Sequence, residues 1–327
     1  MHAPFLGHSI DGLDDLSWFS FEPGIVHHLA PHGSTEPLPR ADVIFSTNLP
    51  PEAGLPVLLV QGFEMLYSGV ERRGYRSPGL KVCIASWLVE TGRRFGVDAD
   101  QFLVVPMGID HDRFRLVTPI EDRPVQVALL HSSHPAKGWQ VALEALTEVH
   151  RRVPDLQAVA FGTTAPSATW PDWLTVHSSP EPETLVRDIY NQSQVFLQAS
   201  DYEGFGFTAV EAMACGCALV TTDNGGSRDY AEQGRTAMVS QPRDVSGLAD
   251  QVVELLTGRK DRLRIAKTGM AMAKRFDWDV AAELLEQALM TYLAHPAAFQ
   301  KPPGLEPVAL TDDPFALDDT LSRGRAT

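Results

Sequence analysis

Along the chain, short apolar runs of strand length alternate with segments whose apolar residues recur at helical spacing. Asp42–Ser46, Pro56–Gln61, Leu80–Ala85 and Phe102–Pro106 read as strands in the first third. Val125–His131, Gln157–Gly162, Trp173–His177, Gln194–Gln198, Ala218–Thr221 and Ala237–Ser240 form a second set. Runs such as VLLV and VALL have no polar alternation, the pattern of parallel strands buried on both faces. Between them, Gly138–Arg152, Glu183–Gln192, Phe207–Ala214, Val245–Leu256 and Asp279–Leu293 carry helical periodicity. This alternation predicts an α/β chain with parallel, doubly wound sheets. The pattern breaks over Pro106–Asp122, where a glycine, prolines and mixed charge intervene. That break divides residues 1–115, a compact first domain, from 116–276, a larger second one. The opening 40 residues read poorly as strand–helix–strand. Residues 277–295 read as a C-terminal helix, and the proline-rich, aperiodic 296–327 as a flexible tail.

Length and composition fit this picture. A chain of 327 residues has room for two domains, and 44% hydrophobic with 21% charged residues supports ordinary globular cores. With 42 acidic against 27 basic residues, the net charge of −15 argues against a nucleic-acid partner, which needs a basic face. Cys83, Cys215 and Cys217 are too few for a disulfide framework, and the last two lack zinc or redox spacing. They read as small apolar filling. The N-terminus has no basic n-region followed by an apolar stretch, and no run nears the roughly 20 apolar residues of a membrane span. The compartment expected is the cytoplasm.

Chemistry concentrates in Asp201–Asp229. A strand ends near Gln198, a polar turn holds Glu203, and Gly204-Phe205-Gly206 opens a helix. Strand, glycine turn and helix start together make an anion site, because the first helical N–H groups are unpaired and the dipole favours negative charge. Glu203 in the turn and Glu211 in the helix, seven residues intervening, can both face one ligand lying across the helix start. Carboxylates there accept hydrogen bonds from sugar or ribose hydroxyls. Taken alone, Glu203 could equally complement the dipole and Glu211 be a solvated surface residue. The buried strand that follows orients the helix on a sheet and favours the ligand reading. Lys137, at the start of a helix whose dipole it opposes, makes sense beside an anion. Asp98-Ala99-Asp100 and Asp110-His111-Asp112 read as surface loops, and no metal site is expected.

Glu203-Gly204-Phe205-Gly206 through Glu211-Ala212-Met213-Ala214-Cys215-Gly216 resembles the Glu-x7-Glu signature of the retaining glycosyltransferases of family 4, which have the GT-B fold. Ser86-Trp87-Leu88 through Val105–Phe114 resembles the end of that family's first domain and its crossing. The stretch from Leu129 to Gly138 resembles its first strand–helix turn on the donor side, and Gln61-Gly62-Phe63-Glu64 is similar to a turn in rhamnosyltransferase-like members. The resemblance implies two Rossmann-like domains facing across a cleft, the second holding a nucleoside-diphosphate sugar. It implies Glu211 on the ribose and Glu203 by the transferred sugar. Backbone N–H groups from Gly204, Phe205 and Gly206 through Phe207 and Thr208 would meet the diphosphate, and Lys137 would neutralise it. His131 stands where the family has an arginine, so a diphosphate contact through a titrating ring is expected there. Gln61, in place of a histidine, and Glu64 would line the acceptor side.

Implied is transfer of a hexosyl- or deoxyhexosyl-type sugar to an acceptor hydroxyl with retention, without metal or cofactor. The acceptor is a saccharide, a lipid-linked or a natural-product hydroxyl. A nucleotide-sugar epimerase and a non-catalytic nucleotide-sugar-binding subunit are the competing readings; the pattern leaves oligomeric state open.

Overall fold

The computed structural model describes residues 2–6, 26–30, 41–47, 54–62, 73–163 and 170–299, with backbone alone for the first two segments. Glu64 and residues 300–327 therefore lie outside the described residues.

The first domain holds a four-stranded sheet of β3 (Val43–Ser46), β4 (Leu55–Val60), β5 (Leu80–Cys83) and β6 (Phe102–Val104), in that order and all parallel. Before it, β1 (His2–Leu6) and β2 (Val26–Ala30) pair in parallel as a separate sheet. The sequence pattern misses these two because HAPFL and VHHLA show no alternation and little apolar continuity. Helix α1 (Ser86–Arg94) follows β5 and buries Trp87, Leu88, Thr91 and Gly92, a stripe at helical spacing.

The second domain is a six-stranded parallel sheet. It comprises β7 (Gln126–Leu130), β8 (Gln157–Gly162), β9 (Leu174–Ser178), β10 (Val195–Gln198), β11 (Ala218–Thr222) and β12 (Ala237–Ser240). Every residue of β10 and β11 is buried, as strands covered on both faces require. The spatial order is β12-β11-β10-β7-β8-β9. Connections run outward in one direction from β7 and in the other from β10, so the winding reverses between these neighbours. A crevice opens at the carboxyl ends of strands flanking such a reversal.

Helices α2 (Trp139–Arg152), α3 (Phe207–Ala214) and α4 (Val245–Thr257) form where the periodicity places them. A further helix, α5 (Arg259–Ala273), is hidden in the sequence by its charged opening RKDRLR. It buries Arg262, Ile265, Ala266, Gly269, Met272 and Ala273. Arg262 donates to the carbonyls of Leu255 and Leu256 at 2.8 and 3.1 Å, closing the free end of α4. The expected Glu183–Gln192 helix is broken into α, π and 3-10 turns over Pro182–Thr184, Leu185–Ile189 and Tyr190–Gln192.

The chain crosses between the domains twice, and the crossings are joined. Ile109 N donates to Phe276 O at 3.0 Å, and the His111 ring contacts the same carbonyl. After the second crossing, α6 (Trp278–Ala294) returns to the first domain. Ala281 and Tyr292 bury against Val57, Leu80, Val82 and Val105, and the Tyr292 hydroxyl donates to Pro56 O at 3.0 Å. Pro296–Phe299, expected in the tail, instead form a 3-10 turn: Gly79 N donates to Phe299 O and the Phe299 ring packs on Tyr292. Cys83, Cys215 and Cys217 are all free and buried.

Candidate functional site

Lys137 follows β7 and Glu203 follows β10, so the winding reversal brings together two residues 66 apart in sequence. The Lys137 Nζ donates to both Glu203 carboxylate oxygens, at 2.9 and 2.8 Å. Ser200 Oγ adds a bond to Oε1 at 2.8 Å and Gln198 Nε2 a longer one at 3.4 Å. The Lys137 side chain is 24% exposed and that of Glu203 7%, so the pair is open to the cleft mainly on the lysine side. Asp201 N donates to Ala136 O, which fixes the lysine turn against the Glu203 turn. Glu203 N donates to Asn224 O and Gly226 N to Glu203 O, tying the same turn to the Asn224-Gly225-Gly226 loop.

Gly206 stands at φ +101°, a conformation suited to glycine, and opens α3 without a side-chain cap. The N–H groups of Phe207 and Thr208 therefore face outward from an uncapped, electropositive helix start. Phe207 is exposed, whereas Phe205 is buried against Phe207, Tyr230 and Phe276. Gly204 meets the first domain: a Cβ there would lie 1.9 Å from the Gln61 carbonyl oxygen, and the Trp87 Nε1 donates to Gly204 O at 3.0 Å. Gln61 thus reaches the site by its backbone, its side chain lying on an exposed residue.

Glu211 lies one turn into α3. Burial pushes its carboxyl above the usual carboxylate range, opposed by the Tyr190 hydroxyl and by the nearby Arg113 guanidinium. That hydroxyl donates to Glu211 Oε2 at 3.0 Å. Burial and the carboxylate itself drive the Tyr190 pKa far up, so Tyr190 remains a donor. Sequence reasoning did not single out Tyr190, because it sits at the end of the π turn rather than on a helix face.

His131 is one residue past β7 but only 6% exposed. Its ring packs edge-on against Trp139 and Trp170, centroids 4.3 and 4.8 Å away, and its buried Nδ1 has no hydrogen-bond partner. Burial lowers its pKa from the ordinary imidazole value. The two indoles enclose the ring on one side of the turn that leads to Lys137. Asp110 and Asp112 also form a turn, Asp110 Oδ1 accepting from the N–H groups of Asp112 and Arg113 at 3.0 Å.

Residues 110–272 match the model of the family described as glycosyl transferases group 1. The chain is 27% identical over 232 residues to glycogen synthase of Mycobacterium tuberculosis, covering 65% of this chain and 54% of that protein. It spans between 39% and 54% of the length of the first curated relatives it matches. Its fold superposes on sucrose-phosphate synthase from Thermosynechococcus elongatus with a TM-score of 0.62 at 20% identity, covering 74% of this chain and 68% of that one. Anabaena HepE in complex with UDP-glucose superposes with a TM-score of 0.60 at 16% identity, covering 72% of each chain. No helix among the described residues is long and apolar enough to cross a membrane. The chain has the GT-B fold, and its residues 110–272 carry the sequence pattern of the group 1 glycosyl transferases.

Proposed function

We propose that this chain transfers a sugar from a nucleoside-diphosphate sugar to an acceptor hydroxyl with retention of configuration, as a glycosyltransferase of the family 4 type. The observation that carries the reading is the Lys137–Glu203 pair at the winding reversal, beside the uncapped start of α3. Cation, carboxylate and free helix amides within one turn match a donor that carries both a diphosphate and a polyhydroxylated ring.

In the ligand-free arrangement Glu203 occupies Lys137. Donor binding supplies the ammonium with diphosphate oxygens and frees the carboxylate to accept from hydroxyls of the transferred sugar. Glu211, held by Tyr190, accepts from the ribose hydroxyls. The acceptor oxygen attacks the anomeric carbon from the face of the departing diphosphate. The bond to the diphosphate oxygen breaks, and that oxygen takes the acceptor proton. Lys137 and the Phe207 and Thr208 amides stabilise the negative charge that accumulates as this bond breaks. These groups supply the positive potential themselves, so the reaction proceeds without a divalent ion.

The cleft face of the first domain receives the acceptor, and hexosyl or deoxyhexosyl donors are the class expected. Similar proteins include a 2-deoxystreptamine N-acetyl-D-glucosaminyltransferase of Niallia circulans and D-inositol 3-phosphate glycosyltransferases. A cyclic polyol acceptor is therefore the first to try, with UDP-glucose, its complex with HepE in mind, as the first donor. Donor hydrolysis or transfer is measured with and without chelator, in wild type, Glu203→Ala and Glu211→Ala. Glu203→Ala lowers turnover more than nucleotide affinity, and Glu211→Ala lowers affinity about tenfold or more. Binding of nucleotide sugars with neither transfer nor hydrolysis across a donor panel would leave the non-catalytic reading standing. A product isomeric with the donor would favour the epimerase.

A further inference from the structure

Helix α1 begins without a cap of its own. Ala85, at its N-cap position, offers no side-chain oxygen, and no acidic residue lies in the first turn. The missing acceptor comes from the other domain. Asp229 Oδ2 accepts from Ser86 N at 2.9 Å, and its Oδ1 accepts from Ser86 Oγ. One carboxylate, 143 residues away in sequence, therefore caps this helix across the domain boundary.

The same helix turn touches the site loops in two further places. Trp87 donates to Gly204 O, and its ring lies against Gly225, where an added Cβ would sit 3.0 Å from the indole. Gly225 in turn pairs with Glu203 as an isolated bridge. Next to Asp229, Arg228 is turned to Asp223 through bonds of 2.6 and 3.0 Å. A cavity of about 760 Å³, lined by Ser86, Glu90, Arg228 and Glu232 among others, flanks the contact.

We propose that Asp229 is an interdomain latch: by capping α1 from the donor-side domain, it holds the first domain closed over Glu203 and Lys137. Parting the domains leaves the first N–H groups of α1 unpaired, so closure of the cleft and order in the first turn of α1 are one event. In the transfer reading, on which this builds, Asp229 is a positioning residue that sets the acceptor side over the donor and touches neither substrate.

The test uses the full chain with Asp229→Ala, Asp229→Asn and Ser86→Ala. Three quantities are measured: amide exchange over Ser86–Leu88, radius of gyration by small-angle scattering, and calorimetric affinity for UDP. Loss of the cap should speed exchange about tenfold in Asp229→Ala, with smaller effects in the other two. The radius of gyration should rise alongside, while UDP affinity stays within about twofold of wild type. Asp229→Glu, which keeps the carboxylate, should restore part of the protection. Wild-type exchange and dimensions in Asp229→Ala would overturn the latch. Faster exchange without expansion would also overturn it, reducing Asp229 to a helix cap. A tenfold loss of UDP affinity would place Asp229 in the donor site instead. Failure of the wild type to bind UDP would count against UDP as donor nucleotide, and scattering and exchange would still decide the latch.

Discussion

Tyr190→Phe separates the electrostatic role of Glu211 from its mere presence. The substitution removes one oxygen. The ring stays in place because it packs edge-on against Phe161, Phe196 and Phe114, with centroids 5.5, 5.8 and 6.3 Å away. What is lost is the 3.0 Å bond to Glu211 Oε2. A hydrogen bond to a charged group contributes about 1.5–3 kcal/mol, here to the carboxylate form alone. Without that bond the Glu211 carboxyl, already raised by burial, rises further above the usual carboxylate range. The ribose reading requires the carboxylate. Nucleotide affinity is therefore present above the Glu211 pKa and falls as pH drops through it. In Tyr190→Phe that fall moves to higher pH, while the two proteins converge at the alkaline end, where Glu211 is ionised in both. Calorimetric UDP titrations from about pH 5 to 9 read this directly. Superimposable profiles, or an offset that is constant with pH, would refute the argument.

Gly204→Ala should spare UDP binding and lower transfer at least tenfold, since its Cβ would fall 1.9 Å from the Gln61 carbonyl and force the domains apart; wild-type transfer by this variant would contradict the close approach. Lys137→Ala should lower stability by about 1–3 kcal/mol in thermal melts by leaving the buried Glu203 carboxylate with neutral partners only. The double variant Lys137→Met/Glu203→Gln, with no charge to strand, should recover most of that loss while remaining without transfer. Lys81 is buried beneath the first sheet, donating to Gly79 O and Gln101 Oε1, and burial lowers its pKa from the ordinary 10.5 to about 8. Between those values the unfolded chain binds the proton and the folded one does not, so stability rises with pH across that window, by about 3 kcal/mol at most. Lys81→Met should abolish that rise in denaturant titrations at pH 7.5 and 10.5.

The second domain was largely legible because its physics is local and repetitive. Strands such as VALL and VFLQ are buried on both faces, and the glycine turn before Phe207 announces a helix start. What escaped the sequence lacks such regularity. Helix α5 hides behind its charges because Arg262 is buried as the cap of its neighbour, a role invisible to a hydrophobic pattern. Tyr190 reads as one more aromatic on a helix, yet a π turn delivers its hydroxyl to Glu211. His131 follows its strand as a phosphate-binding residue would, and only the indoles of Trp139 and Trp170 reveal that it faces inward. Asp229 is separated from Ser86 by 143 residues, so no local rule pairs them.

The return of α6 to the first domain has a consequence for biosynthesis. Ala281 and Tyr292 complete the cluster around Val57, Leu80 and Val82. A chain emerging from the ribosome therefore exposes the half-built first domain until residue 292 is out. The second domain, whose last helix ends at Ala273, has its own core in hand some twenty residues earlier. The order of maturation is thus the reverse of the order of synthesis: the unit translated second is the first able to fold to completion, and the one translated first waits for α6. Over that interval the uncovered strands β4 and β5 are the part of the nascent chain most in need of protection from wrong partners.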